Sequence, residues 1–116
     1  MPQVLQGIRV LDLTQNIAGP FCTQLLGDFG AAVVKIERPG SGDDARQWTP
    51  PAWAGVSTSF LAVNRNKKSV AVDISRDQGR ALVRRLAQRA DVLVQSTRPG
   101  SLEAKGLGYD DLKAGN

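Results

Sequence analysis

The chain has 116 residues, enough for one ordinary domain, and its 41% hydrophobic and 22% charged content is that of a folded globule rather than a disordered segment. A formal net charge of +4 invites an anionic partner, but 5% aromatic content offers no stacking platform for nucleic acid, and the absence of histidine removes Ser-His-Asp and Cys-His pairs and histidine metal ligands. A single cysteine excludes an internal disulfide and favours a reducing compartment, the cytoplasm; no apolar run nears the ~18 residues of a membrane span, and no secretory signal opens the chain.

"GIRVLDL", Gly7 to Leu13, predicts a strand, and "GPFCTQLLGDFG" a helix that Gly19 and Pro20 start and Gly30 ends. Phe21, Cys22, Leu25, Leu26 and Phe29 recur at helical spacing, so they are expected to form its buried stripe, with Cys22 a small buried hydrophobe rather than a catalytic thiol. "AAVVKIE", Ala31 to Glu37, predicts a second strand and completes a βαβ unit with parallel strands. "RPGSGDDARQWTPPAWAGVS" then reads as a long surface excursion without periodicity. A third strand is expected over Ser69 to Ile74, followed by "SRDQGRALVRRLAQRAD", the clearest helix. Ser75 and Gln78 have capping-box spacing, and Leu82, Val83, Leu86 and Ala90 supply the stripe. "DVLVQS" is a fourth strand, and "SLEAKGLGYDDLKAGN" a short helical or irregular tail. The order predicts an α/β fold, Rossmann-like, with a mostly parallel sheet and flanking helices. A covering helix is expected after the fourth strand, so residues 1–116 read as the N-terminal portion of a longer domain.

Gly40-Ser41-Gly42-Asp43-Asp44-Ala45 fits the dinucleotide fingerprint G-x-G-x-x-G/A. The physics of that motif is missing here. Asp43 and Asp44, read as exposed turn residues, would stand where the pyrophosphate should lie, and "ARQWTPPAWAG" has no helical stripe to aim N–H groups at it. Topology points elsewhere: in open parallel sheets ligands bind outside the carboxyl ends of the strands. "TQNIAGP", "ERPG", "DISRDQ" and "QSTRPG" should gather there, presenting Arg38 and Arg98. Guanidinium groups pair with phosphate and stack on flat bases; the alternative is that both are ordinary loop charges. Arg65, Lys67 and Lys68 either draw phosphate to the start of the third strand or solvate a loop.

"GIRVLDLTQNIAGPFCTQLLGDFGAAVVKIERPGSGD", "NRNKKSVAVDI" and "ADVLVQSTRPGSLEAKGLGYDDL" together resemble the N-terminal part of the class III CoA-transferases. That family includes formyl-CoA and carnitine CoA-transferases and the related 2-methylacyl-CoA racemases. The resemblance implies a Rossmann-like domain holding coenzyme A or an acyl-CoA, with no metal. It places Ile17 and Ala18 at a strand-to-helix turn touching the coenzyme, and Arg38 against the adenine nucleotide. Val72, Asp73, Ile74 and Ser75 fall along the nucleotide, and Ser96, Thr97 and Arg98 in the loop approaching it. Lys105 is carried over as a phosphate partner, against the reading of a solvated lysine, and Gln15 as a contact to substrate on the acyl side, against that of a polar turn residue. Two departures stand out: Gln95-Ser96-Thr97 replaces the usual Glu-Asn-aromatic, and Ala104 takes the place of a basic residue.

The implied activity moves CoA between an acyl-CoA and a free carboxylic acid through an aspartate nucleophile, and relatives form interlocked homodimers. That aspartate lies downstream, so no catalytic residue is expected among residues 1–116, and the segment alone should be inactive. Two alternatives stay open, a racemase and a non-catalytic CoA- or nucleotide-binding fragment. Neither nucleic acid nor membrane is an expected partner.

Overall fold

Short β-branched runs separated by glycine and proline turns become parallel strands in the computed structural model, which describes residues 1–116. The elements are β1 (Arg9–Asp12), α1 (Ala18–Asp28), β2 (Ala32–Glu37), β3 (Ala52–Trp53), β4 (Val56–Ser57), α2 (Thr58–Ala62), β5 (Lys67–Ala71), α3 (Asp77–Gln88), β6 (Val92–Val94) and α4 (Tyr109–Lys113). Single 3-10 turns at Asp44–Gln47 and Glu103–Lys105 punctuate the loops. The main sheet runs β5-β2-β1-β6, and every pairing in it is parallel. The chain therefore steps outward from β1 to β2 and β5, then crosses back to place β6 on the other side of β1. This is the Rossmann-like α/β arrangement expected, and its order reverses between β1 and β6.

Residues two apart on a strand share a face, and the two faces differ in kind. On one, Leu11, Leu13, Ile36 and Val72 meet Val83 and Ala87 of α3 and Leu102 and Leu107 of the tail in one buried cluster. Fully burying such a side chain stabilises by about 1.5–3 kcal/mol. On the other, the registers Asp12↔Lys35, Lys35↔Ser69 and Val33↔Lys67 line up charged groups under α1. Only Val10, Ala31 and Val33, with half-buried neighbours such as Leu26 and Val94, form an apolar cluster there.

This polar face overturns the expected stripe of α1. The helix buries Pro20, Thr23, Gln24 and Gly27, while Phe21, Cys22, Leu25 and Phe29 are exposed. The reason lies beneath it. The Thr23 hydroxyl donates to Asp12 Oδ2 at 2.7 Å, and Gln24 Oε1 accepts from the Arg65 amide at 3.0 Å. A helix on a charged sheet turns its polar side inward.

Three further expectations change in part. β5 starts at Lys67 rather than Ser69, because Lys67 Nζ is drawn under the sheet to Asp12 Oδ2 (3.1 Å), Pro20 O (3.0 Å) and Asn64 Oδ1 (2.8 Å). The Lys67 side chain is thus buried and withdrawn from any phosphate, whereas Arg65, in a two-pronged bond to Asp28, and Lys68 stay exposed. α3 starts at Asp77 and the Ser75–Gln78 capping box does not form, since Asp73 Oδ1 instead accepts from the Ser75 amide and hydroxyl. Gly79 is required there, as a Cβ would stand 1.8 Å from the Asp73 carbonyl oxygen. Finally, the excursion after β2 is a surface segment over most of its length, as expected, but it is pinned: Gly42, Asp43, Ala45 and Ser57 are buried, and the Arg46 guanidinium lies 3.9 Å from the Phe60 ring centre while forking onto Glu37.

Candidate functional site

At the point where the strand order reverses, a cleft of about 520 Å³ opens beyond the strand ends. Leu13, Gln15 and Asn16 line it from the turn after β1, Asp44 from the turn after β2, and Ser96, Thr97, Arg98 and Ser101 from the loop after β6. Only one of these is hydrophobic, so the cleft favours a polar or charged ligand. A second hollow of about 490 Å³ lies between α3, β6 and α4. Leucines 93, 102, 107 and 112 contribute to its wall, and it continues the core instead of gathering loop ends.

Each wall of the switch-point cleft has a local cause. Thr14 is fully buried, its amide and hydroxyl both donating to Asp12 Oδ1 (2.8 and 2.5 Å). The chain then turns sharply at Asn16, whose φ of 73° is a conformation asparagine tolerates better than most residues. α1 begins at once against this turn: a Cβ on Gly19 would lie 2.3 Å from that of Thr14. Its N-cap, Ile17, supplies no side-chain acceptor, which leaves first-turn N–H groups for water or an anion. Across the cleft, Gln95 Oε1 accepts from the amide and hydroxyl of Thr97 (2.9 and 2.6 Å), folding the loop that carries Arg98. Arg38 reaches the cleft through its neighbours. Its Nη2 donates to the Asp44 carboxylate, to Gly42 O at 3.3 Å and to Gln15 Oε1 at 3.5 Å.

Beneath the cleft, charges are buried in compensated sets. Lys35 Nζ meets Asp43 Oδ2 at 2.9 Å, with both side chains almost wholly buried. Burial pulls the Glu37 carboxyl upward, but bonds from Arg46, Ser69 and the Asp43 amide, with the Arg46 charge, outweigh it and hold it at about 2. Asp12 behaves alike: burial raises it, while bonds from Thr14 and Thr23 and the Lys35 charge bring it below the usual carboxylate range. For Lys67 burial wins over the Asp12 charge and its pKa is lowered. No buried side-chain polar atom lacks a partner.

Gln15, Ser96, Thr97 and Arg98 are therefore brought together in the cleft wall, with Arg38 bonded to two of its lining residues. Ile17 and Ala18 are exposed at the start of α1, one and two residues beyond the lining residue Asn16. Val72 to Ser75 and Lys105 lie outside the lining. Val72 is a core residue whose amide donates to Glu37 O, and Ile74 packs at the core's margin. Asp73, its pKa lowered first by the Ser75 hydroxyl bond, organises the turn into α3. Lys105 ends a 3-10 turn and offers its carbonyl to Arg84 at 3.5 Å. Asp43, expected in an exposed turn, is 1% exposed. Sequence reasoning misses Leu13, Asn16, Asp44 and Ser101 as lining residues; their only signal is membership of the predicted edge loops and their flanks.

The model of CoA-transferase family III matches residues 5–116. Succinyl-CoA:glutarate CoA-transferase of Mus musculus is 55% identical over 108 residues, an alignment covering 93% of this chain and 25% of that protein. Succinyl-CoA--D-citramalate CoA-transferase of Chloroflexus aurantiacus is 45% identical over 115 residues, covering 99% of this chain and 29% of that protein. A crystal structure of a CAIB/BAIF family protein from Brucella suis superposes with a TM-score of 0.94 at 42% identity, over 100% of this chain and 32% of that one. The chain thus spans between a quarter and a third of these relatives' lengths.

Proposed function

The chain belongs to CoA-transferase family III, and from that premise we propose that the protein moves coenzyme A between an acyl-CoA thioester and a free carboxylic acid. In this reading residues 1–116 form the N-terminal portion of the CoA-binding domain and seat the adenosine-phosphate end of the carrier. The observation that carries it is the polar cleft at the strand-order reversal, with Arg98 in its wall and Arg38 bonded to two lining residues. Two guanidinium groups at the carboxyl edge of a parallel sheet suit a phosphorylated nucleotide. Asp44 is bonded to Arg38, and a phosphate oxygen takes its place when the carrier binds. Ile17, Ala18 and Ser96 to Arg98 border the same space; Val72 to Ser75 and Lys105 would need to meet parts of the carrier outside it.

The transfer chemistry belongs to a carboxylate. An aspartate attacks the thioester carbonyl, CoA leaves as thiolate, and the resulting acyl-enzyme anhydride exchanges with that thiolate to give an enzyme-CoA thioester and the free acid. The acceptor carboxylate then repeats the sequence in reverse. This nucleophile lies outside residues 1–116. Two relatives are named for succinyl-CoA with dicarboxylate acceptors, so succinyl-CoA is the donor to try first. Calorimetric titration with CoA tests the seat: Arg38→Ala should weaken binding by about 1–3 kcal/mol, roughly 5- to 150-fold. Unchanged affinity removes Arg38 from the site, and absence of thioester exchange between succinyl-CoA and a panel of carboxylic acids refutes transfer.

A further inference from the structure

We propose that Asp43, clasped to Lys35, is a positioning residue that sets the geometry of the carrier cleft without touching the carrier. Nothing about Asp43 is that of a loop carboxylate. Its side chain is fully buried, and each oxygen is committed. Oδ2 faces Lys35 Nζ at 2.9 Å, and Lys35 Nζ in turn donates to Thr14 O at 2.8 Å. Oδ1 accepts from the Asn16 amide at 3.1 Å and from the Ala45 amide at 2.9 Å. The Asp43 amide donates to Glu37 Oε1 at 2.8 Å.

One carboxylate thereby ties three pieces of chain: the turn after β1, the β2 lysine, and the start of the 3-10 turn at Asp44–Gln47. Both cleft walls on this side hang from it. Asn16, held by Oδ1, is a lining residue, and Asp44, next in sequence, is another. Arg38 is fixed from the same place, since its guanidinium bonds to Gly42 O and Asp44, the residues flanking Asp43. The left-handed turn at Asn16 is costly for a residue with a side chain, and the clasp supplies a bond that holds it. Asparagine cannot reproduce this arrangement. With its oxygen toward the Lys35 ammonium, its NH2 meets the Asn16 and Ala45 amides donor to donor.

The inference rests on the proposed CoA seat, and a double-mutant cycle separates the two. Calorimetry with CoA is run on the full-length protein, its Arg38→Ala and Asp43→Asn variants, and the combination. Asp43→Asn is expected to weaken CoA about tenfold in the wild-type background and less than about twofold once Arg38 is absent, because its effect passes through the Arg38 loop. A purely structural contribution costs the same in both backgrounds, and that result overturns the proposal, as does wild-type affinity in Asp43→Asn. If Asp43→Asn does not fold, the Lys35→Met/Asp43→Ala pair removes both charges of the clasp together, so that neither is left facing an empty place, and the same cycle is run from it. Tenfold weaker binding that vanishes without Arg38 supports the clasp; wild-type binding overturns it. A wild-type protein that binds CoA and an Arg38→Ala variant that does not, beside an indifferent Asp43→Asn, leave the seat standing and remove only this inference. Failure of the wild type to bind CoA sinks both.

Discussion

The two faces of one four-stranded sheet solve opposite problems with the same backbone. The α3 face is a conventional core, in which Leu11, Ile36, Val72, Val83 and Leu107 exclude water. The α1 face buries Asp12, Lys35, Glu37 and Lys67, each with a partner of opposite charge and neutral donors or acceptors besides. The apolar face gains stability from area removed from water. The ionic face gains little net free energy for the desolvation it incurs, but it fixes directions. Its bonds run outward into the turns after β1 and β2, which is where the cleft lies. The division of labour is stability on one side and placement on the other.

The most severe test of that division is Asp12→Ala. It strips the carboxylate from Lys67 Nζ and an acceptor from the hydroxyls of Thr14 and Thr23, leaving a buried ammonium with neutral acceptors alone, Pro20 O and Asn64 Oδ1. A loss of about 3–5 kcal/mol is expected by urea denaturation, and the Asp12→Ala/Lys67→Met pair should recover a good part of it. A single variant no less stable than wild type would mean the network is solvated in solution. On the other face Leu11→Ala should cost about 3 kcal/mol through lost burial and a cavity. The two differ in reach, since Leu11→Ala should leave the CoA affinity of the folded protein alone.

Acid separates the faces without mutation. The Glu37 pKa is depressed to about 2 from an ordinary 4.5. A depressed carboxylate contributes stability that is present above the unfolded value and lost as pH falls through the folded one. Roughly 3 kcal/mol should therefore fade between pH ~4.5 and pH ~2. Glu37→Gln should flatten that slope, whereas Leu11→Ala should shift the whole curve down with its slope intact. A Glu37→Gln protein with the wild-type slope would place the titration elsewhere.

The α3 face is legible in the sequence because it obeys the rule that apolar periodicity points inward. Val83 and Leu86 at helical spacing, and Leu11 and Leu13 at strand spacing, lead straight to it. The ionic face is not, for its residues are the ones that composition assigns to solvent. Lys35 in "VVKIE" and Lys67 in "NKKS" carry no local mark that their ammonium groups will be buried. Their partners lie many residues away in most cases, and only the pairing register brings them together. Asp43 reads as an exposed turn residue for the same reason. The cleft is partly legible: strand order alone sends the loops holding Gln15 and Ser96 to Arg98 to one place. Val72 to Ser75 fall outside its lining because β5 sits at the sheet's edge, with β2 and β1 between it and the reversal point.

The smallest expected effects are the most pointed, since they lie on one helix and invert the usual ranking. Phe21 is 50% exposed and Thr23 fully buried on adjoining faces of α1. Phe21→Ser in the 116-residue chain should cost only about 1 kcal/mol, because phenylalanine and serine have similar helix propensity and the ring is half in water already. Thr23→Val keeps the shape but deletes the hydroxyl that donates to Asp12, leaving a buried carboxylate oxygen one donor short, at a cost of about 1–3 kcal/mol. Urea midpoints for the two variants, compared at equal slope, decide the matter. A larger loss from the phenylalanine than from the threonine would turn α1 over, put its apolar stripe back on the sheet, and remove the ionic face from beneath it.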